Sequence, residues 1–401
     1  MNKILLEALV SVHQIDGIKH ITPPNWIGDS ILNHRTDNDI NYTDSVKKSI
    51  ETALSDDSKN IPLQAAITYT KKHNLPLYDK SLKNSVSSLS KQAAIGVVYA
   101  EAVKGTDGYK KAVFSLYQKH HPELIKEHHI KDYDDLVDKS YSQLAKETKD
   151  QFKSIPSRTQ FHNGELDYKT SNEMLGDIHH HNNITVFSGG DRHEYLHNID
   201  KNTGLNENQM FRAVHDYYGH GIHGNQFGAK GEEIAWESHA KMFSPLARLA
   251  MTSETRGQNS FVNYTNVNID RYNKMETHRK LAREALHNND MVNYQHHKES
   301  ISKLGKDWKY APQKAIILPP SMNEVDYKGS MPKSIHKLIG NNGVYDVDKD
   351  PLHLIQLARS KNTTSYLSNH GGIYDRENTI RDFNSLLSHH GYTNVSKIPN
   401  L

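Results

Sequence analysis

The sequence predicts a mainly α-helical protein, α+β only through minor short strands, with a helical core and a small irregular C-terminal region. Two observations predict it. Apolar residues recur three and four apart through most of residues 61–304, the period of an amphipathic helix. Short β-type apolar runs stand out at residues 184–187 (ITVF) and 315–318 (AIIL), each too brief for more than a small sheet.

In order, residues 1–60 form a polar N-terminal segment, 61–155 a helical region, 156–315 the helical core and 316–401 a small C-terminal appendage. Residues 1–12 (MNKILLEALVSV) read as an amphipathic helix, because Glu7 interrupts the apolar run and no small-residue cleavage site follows. A second apolar piece covers 27–32, with turn signals at Pro23-Pro24 and Asp56-Asp57. Leu63, Ala66, Ile67 and Tyr69 mark a helix before the break at Leu75-Pro76. Ala93, Ala94, Val97, Val98, Ala100 and Val103 mark another, stopped by Gly105 and Gly108. Leu136, Tyr141, Leu144, Thr148 and Phe152 mark a third.

Residues 156–200 read as a small irregular or β element, with a strand at 184–187 and a turn at Ser188-Gly189-Gly190-Asp191. That turn offers backbone N–H groups to an anion but lacks the lysine and spacing of a P-loop. His179-His180-His181 read as an exposed loop, since adjacent imidazoles on regular backbone cannot all face one ion. Residues 271–304 form a charged helix pair broken at Asn288-Asn289-Asp290, and the strand at 315–318 ends at Pro319-Pro320. The tail carries modest helices near 352–358 and 379–387.

Composition narrows the function. The 49 basic and 47 acidic residues leave a net charge of +2, and the pI of 8.3 lies below the ~9 of a basic nucleic-acid footprint. Nucleic acid is therefore not indicated as a partner. No apolar run approaches the ~18 residues of a membrane span, so a soluble protein with no membrane partner is expected. With no cysteine, any metal must be held by the 27 histidines and by carboxylates.

Residues 206–257 carry the chemistry. Asn206 is an N-cap, and Gln209 three residues on completes a capping box. Met210, Phe211, Val214, Tyr217 and Tyr218 share one helical face; Gly219 and Gly221 end the helix, with His215 in its last turn and His220 at or past its end. On a regular helix these imidazoles point about 140° apart. They meet on one ion only if the helix loosens at Gly219, as glycine permits. A second helix, 231–243, carries Glu232, Glu233, Trp236, Glu237 and His239. Ser244 as N-cap and Pro245 at the first position start a third, running to Glu254 and stopping at Arg256-Gly257. Imidazoles and carboxylates thus share helices with large apolar residues, and a divalent cation can serve several such buried groups at once.

His215-Asp216-Tyr217-Tyr218-Gly219-His220 resembles the HE-x-x-GH motif of the iron-dependent aromatic amino-acid hydroxylases, with Asp216 in place of the motif's glutamate. Phe227 and Glu233 fall where that family has an aromatic and a helical glutamate, and Glu254 falls near its ligand glutamate. The resemblance implies a mononuclear 2-His-1-carboxylate site of His215, His220 and Glu254. Glu233 and His239 are the alternatives to Glu254, although first-turn acids such as Glu232 and Glu233 also complement a helix dipole. Fe(II) is expected ahead of Zn(II), with oxygenase or hydroxylase-like chemistry on iron and hydrolase-like chemistry on zinc. Asp216 or Glu233 is the candidate general base, and Tyr217 or Tyr218 a pocket-lining residue. Arg256, beside Gln258 and Asn259, suits a grip on a substrate carboxylate or phosphate, or equally a helix C-cap with Gly257. His223 reads as a loop residue.

Blocks similar to MFRAVHDYYGHGIHG, GEEIAWESHAKMFSPLARLAM and SETRGQNSFVN occur in the same order in uncharacterised proteins of tailed bacteriophages. This second resemblance implies a phage-encoded protein in the infected host cytoplasm or the virion. It would act on a small-molecule substrate, or be a non-enzymatic structural or injected protein that packs against other virion proteins around a structural His/Glu cluster.

Overall fold

A computed structural model describes residues 11–15, 18–22, 44–78, 89–162, 168, 170–190, 192–225, 227, 229–264, 269–306 and 309–323. The protein is mainly helical, as its periodicity predicts. Its strands are β1 (Ser11–Ile15), β2 (Ile18–Thr22), β3 (Arg158–His162) and β4 (Asn183–Phe187), in one sheet of order β1-β2-β3-β4. Strand β2 runs antiparallel to β1 and to β3, with Val12 opposite Ile21 and Lys19 opposite Phe161; β4 runs parallel to β3, with Thr159 opposite Ile184. The helices are α1 (Asp44–Ser55), α2 (Ile61–Lys72), α3 (Leu89–Ala102), α4 (Asp107–His120), α5 (Pro122–Glu127), α6 (Tyr133–Phe152) and α7 (Ser171–His181). There follow α8 (Glu207–Val214), α9 (Ala229–Ala240), α10 (Pro245–Thr252), α11 (Gln258–Tyr264), α12 (Ile269–His287) and α13 (Met291–Lys306).

Several expectations need correction. Of residues 1–12, only Ser11 and Val12 are described; they lie in β1, opposite Thr22 and Ile21, and the rest of the expected helix lies outside the described residues. Gly105 does end α3, at φ 67, but Gly108 sits in the first turn of α4, whose N-cap is Thr106. The histidine triplet is no loop; it forms the last turn of α7, the helix that crosses between the parallel strands β3 and β4. The apolar piece at 27–32 and the tail helices near 352–358 and 379–387 lie outside the described residues.

Residues 315–318 form no strand either. They run as a buried, irregular segment whose backbone is held by tyrosine hydroxyls from surrounding helices. Tyr109 and Tyr133 donate to the Ile317 carbonyl at 3.1 Å each, and Tyr117 donates to Leu318 at 2.8 Å. In return the Ile317 and Ile316 amides donate to the Tyr133 and Tyr141 hydroxyls, at 2.8 and 3.4 Å. Buried backbone groups must be paired, and here side chains replace a neighbouring strand. One hydrophobic cluster accordingly reaches from Val46 to Met322, across the compositional seams at 60, 155 and 315. Among the described residues no helix is long and apolar enough to cross a membrane.

Candidate metal centre

Helix α8 opens with the capping box its sequence requires: Asn206 accepts from the Gln209 amide at 2.8 Å, and Gln209 accepts from the Asn206 amide at 2.9 Å. Met210, Phe211 and Val214 turn inward with Tyr217 and Tyr218. At Val214 the α-helix does not stop. It widens into a π turn, His215–His220, where Gly221 N–H reaches back five residues to the Asp216 carbonyl. A turn closed by i→i+5 bonds brings residues five apart to the same side, which a regular helix does not. Glycine enters by close approach as well as by flexibility. A Cβ on Gly219 would lie 3.1 Å from the Ala235 carbonyl oxygen and 3.3 Å from His215 Cε1, so glycine lets α9 press against the widened turn.

The two imidazoles meet there. His215 Nε2 lies 3.3 Å from Glu232 Oε2, and His220 Nε2 lies 3.4 Å from Glu232 Oε1. Among the described residues, His215, His220 and Glu232 form the one group whose donor atoms all fall within 4.8 Å. Glu232 therefore takes the place expected of Glu254. Sequence reasoning missed it because a first-turn acid has a sufficient local explanation. The available signal was that Glu232, Trp236 and His239 stand on one face of α9, at i, i+4 and i+7, with Trp236 and His239 fully buried.

The protonation pattern of the cluster follows from its outer contacts. His220 Nδ1 lies 3.1 Å from the Asn225 carbonyl, which only accepts, so Nδ1 carries the hydrogen. Asn225 is itself held by its amide donating to the Gly219 carbonyl at 2.9 Å. In its neutral form His220 thus has a bare Nε2 facing the carboxylate, and in its protonated form it donates to it. Burial alone would raise Glu232, yet the charge of His220 and the hydrogen bonds of both histidines hold it well below the usual carboxylate range. Burial pulls His220 down, but Glu232 and Asp216 outweigh it and leave His220 raised. Phe227 sets its ring edge-on to His220 with centroids 5.4 Å apart, on the side where its place after the motif suggested an aromatic.

A cavity of about 460 Å³ opens beside the cluster. His215, Asp216 and Glu232 contribute to its wall, as do Glu254 and Gln258 and the amides of Asn208 and Asn263. Burial pushes the Asp216 carboxyl up, against the opposing charges of His220 and His215. Glu254 belongs to this wall but not to the cluster. Its carboxylate accepts from Tyr141 at 2.5 Å and Gln258 at 2.7 Å, and His193 Nε2 lies 3.2 Å away.

The other candidates lie elsewhere. Glu233 and Arg256 form a buried pair, with the guanidinium Nε donating to Glu233 Oε2 at 3.0 Å and NH2 to Oε1. Arg256 also donates to the Met322 carbonyl at 2.6 Å and stacks 3.9 Å over Trp236. Glu233 and Arg256 thus pair with each other, and neither lines the cavity. Arg256-Gly257 is no helix stop, because α10 passes through a second π turn, Ser253–Gly257, straight into α11. Tyr217 and Tyr218 are core residues, their hydroxyls bonded to Ser157 and Ser154, and neither lines the cavity. His223 bonds Tyr78 at 3.0 Å. His179 reaches the Gly221 carbonyl at 2.9 Å and so braces the end of the first π turn. In the turn after β4, the Phe187 and Gly189 carbonyls accept from Arg212, so part of that loop receives a cation.

Comparison with protein-family models, curated proteins and solved structures gives no match to this chain. The functional reading therefore stands on the site alone.

Proposed function

We propose that the protein is a mononuclear metalloenzyme whose 2-His-1-carboxylate centre is His215, His220 and Glu232, of the non-haem iron oxygenase type. The observation that carries the reading is the convergence of two imidazole Nε2 atoms on one carboxylate, with His220 Nδ1 held by the Asn225 carbonyl. Two imidazoles and one carboxylate within reach of one another are a donor set for a divalent cation, and a ring nitrogen tied to a backbone carbonyl is the usual support of a metal-ligating histidine. Three such ligands would leave a bound metal room for water or substrate, and His215 and Glu232 line the cavity.

Fe(II) in such a face supplies dioxygen-dependent hydroxylation, whereas Zn(II) on the same donors supplies hydrolysis. The chain's own residues do the rest. Asn208 gives the cavity wall an amide that orients a polar substrate, beside Gln258 and Asn263, whose amides already bond Glu254 and Asn259. Phe211 and Val186 give that cavity an apolar side that excludes water. Glu254, held by Tyr141 and Gln258, presents a fixed negative charge to whatever enters.

Metal analysis of freshly purified protein, beside His215→Ala and Glu232→Gln, tests the reading. One bound metal per chain, lost in both variants, is the expected result; substoichiometric metal unchanged by either substitution sinks it. Oxygen consumption under reducing conditions then separates iron from zinc chemistry.

A further inference from the structure

We infer that Arg212 anchors the substrate: its guanidinium grips a carboxylate or phosphate group of the molecule that enters the cavity beside the cluster. The inference rests on the proposed metalloenzyme reading in that it names the substrate class of the same cavity. The grip itself needs no metal.

Arg212 stands on α8, with Asn208 one turn before it and Asp216 one turn after it, and all three contribute to the cavity wall. Among the described residues it is the one arginine or lysine that does so. Its guanidinium is held but not neutralised. Nη1 donates to the Phe187 and Gly189 carbonyls at 3.2 and 2.5 Å, and the group lies over the Phe187 ring, 5.7 Å from its centroid. Among the described residues no carboxylate forms an ion pair with it, and Nε and Nη2 make no hydrogen bond. Arg256 shows the contrary case, with Nε and Nη2 both taken by Glu233. In Arg212 the same two nitrogens remain, and together they form a fork that meets a carboxylate or phosphate in two parallel bonds. Burial pulls its pKa down, yet a guanidinium keeps its charge throughout the ordinary pH range.

The loop after β4 sets the guanidinium in place. Ser188 donates to the His162 carbonyl through both its amide and its hydroxyl, at 2.6 Å each. The Ser188 carbonyl in turn accepts from Gln209 Nε2 at 2.9 Å, which ties the loop to α8. Gly189 then gives its carbonyl to Arg212, and Gly190 follows at φ 106, where a Cβ would lie 2.9 Å from Nη2. A side chain there would crowd the nitrogen that remains for a ligand. The turn that offered N–H groups to an anion in the sequence thus supplies carbonyls instead, and the anion falls to the arginine they hold. Arg212 precedes His215 by three residues, a rise of about 4.5 Å along the helix. An anionic group on Arg212 therefore lays the adjoining atoms of its molecule beside the cluster. Glu254, in the same wall, disfavours a second negative charge. The substrate class is a small molecule with one carboxylate or one phosphate monoester and no further anionic group.

The test uses the full chain after chelator treatment, so that no metal competes for the anions. Three probes share one tail and differ in the head: hexanoate, hexyl phosphate and hexanamide, each followed by ligand-observed NMR. At least one of the two anions should bind saturably, and the tighter of them gives the head group. Hexanamide, the uncharged control, should bind about tenfold more weakly, the factor expected for hydrogen bonds to a charged group. Arg212→Gln should bring both anions down to the level of hexanamide. Arg212→Lys keeps the charge but loses the fork, so it should fall between, and it supplies the readout if Arg212→Gln does not fold. Equal affinity for all three heads overturns the inference, as does anion binding unchanged in the folded variants. Metal content of the untreated protein keeps the two readings apart. Anion binding that depends on Arg212 in a protein without metal supports the anchor and overturns the metal reading. One metal per chain with no preference for anionic heads overturns the anchor alone.

Discussion

The two π turns share a backbone device but differ in the state of their charges. Each continues a helix with a well-made N-cap, and each closes with an N–H bonded five residues back, Gly221 to Asp216 and Gln258 to Ser253. In the second turn the charged groups are answered. Arg256 is matched by Glu233 and a backbone carbonyl, and Glu254 by Tyr141 and Gln258. In the first, two imidazoles crowd one carboxylate with Asp216 beside them, and buried ring nitrogens are left over. A widened turn by itself therefore says little about chemistry. What separates the two turns is how their charged groups are matched.

The contrast can be broken most severely at Arg256. Arg256→Met leaves Glu233 buried and alone, and should cost about 3–5 kcal/mol of unfolding free energy in urea titration. Metal bound per folded chain should be unchanged. The first turn should respond in the opposite sense. Metal at about 100 times its Kd should stabilise the wild-type protein by about 2.7 kcal/mol. A chelator should reverse that gain, and His220→Ala should show neither effect in thermal denaturation. Next in size is Tyr141→Phe, which takes a donor from Glu254 and an acceptor from the Ile316 amide. It should lower stability by about 1–3 kcal/mol without moving metal affinity.

The smallest effect separates the turns through their glycines. A Cβ on Gly257 would lie 2.7 Å from Tyr99 Cδ2, so Gly257→Ala should destabilise by about 1 kcal/mol and spare the metal. At Gly219 the helical preference of alanine, about 1 kcal/mol, offsets the crowding. Gly219→Ala should leave the melting temperature nearly unmoved and weaken metal binding by about tenfold. Equal effects of the two glycine substitutions on metal affinity would remove the distinction drawn between the turns.

Local chemistry was legible in the sequence, and tertiary pairing was not. The Asn206 capping box, the Ser244-Pro245 start and the helix break at Asn288-Asn289-Asp290 depend on neighbours in the chain, and all appear in the structure. The need for the helix to loosen near Gly219, if His215 and His220 are to meet, was also readable from their spacing. The identity of the third group was not, because Glu232 and Glu233 are adjacent and only the fold decides which faces Arg256. Asn225 carries no motif at all; it bears on the cluster through one backbone carbonyl brought in from outside it. Residues 315–318 looked like a strand because their apolar side chains are buried, while the partners of their backbone are hydroxyls from distant helices.

Those hydroxyls also bear on which sequences this fold tolerates. Twenty-one tyrosines in a chain only 35% hydrophobic look like a polar composition, yet Tyr99, Tyr109, Tyr117, Tyr133 and Tyr141 are interior side chains. Each fills volume as phenylalanine would and also serves at least one backbone group of residues 312–318. Phenylalanine, the nearest substitute by shape, is therefore a poor one at these positions. The interior accepts the ring and loses the seam that stitches the chain's last described segment to its helices.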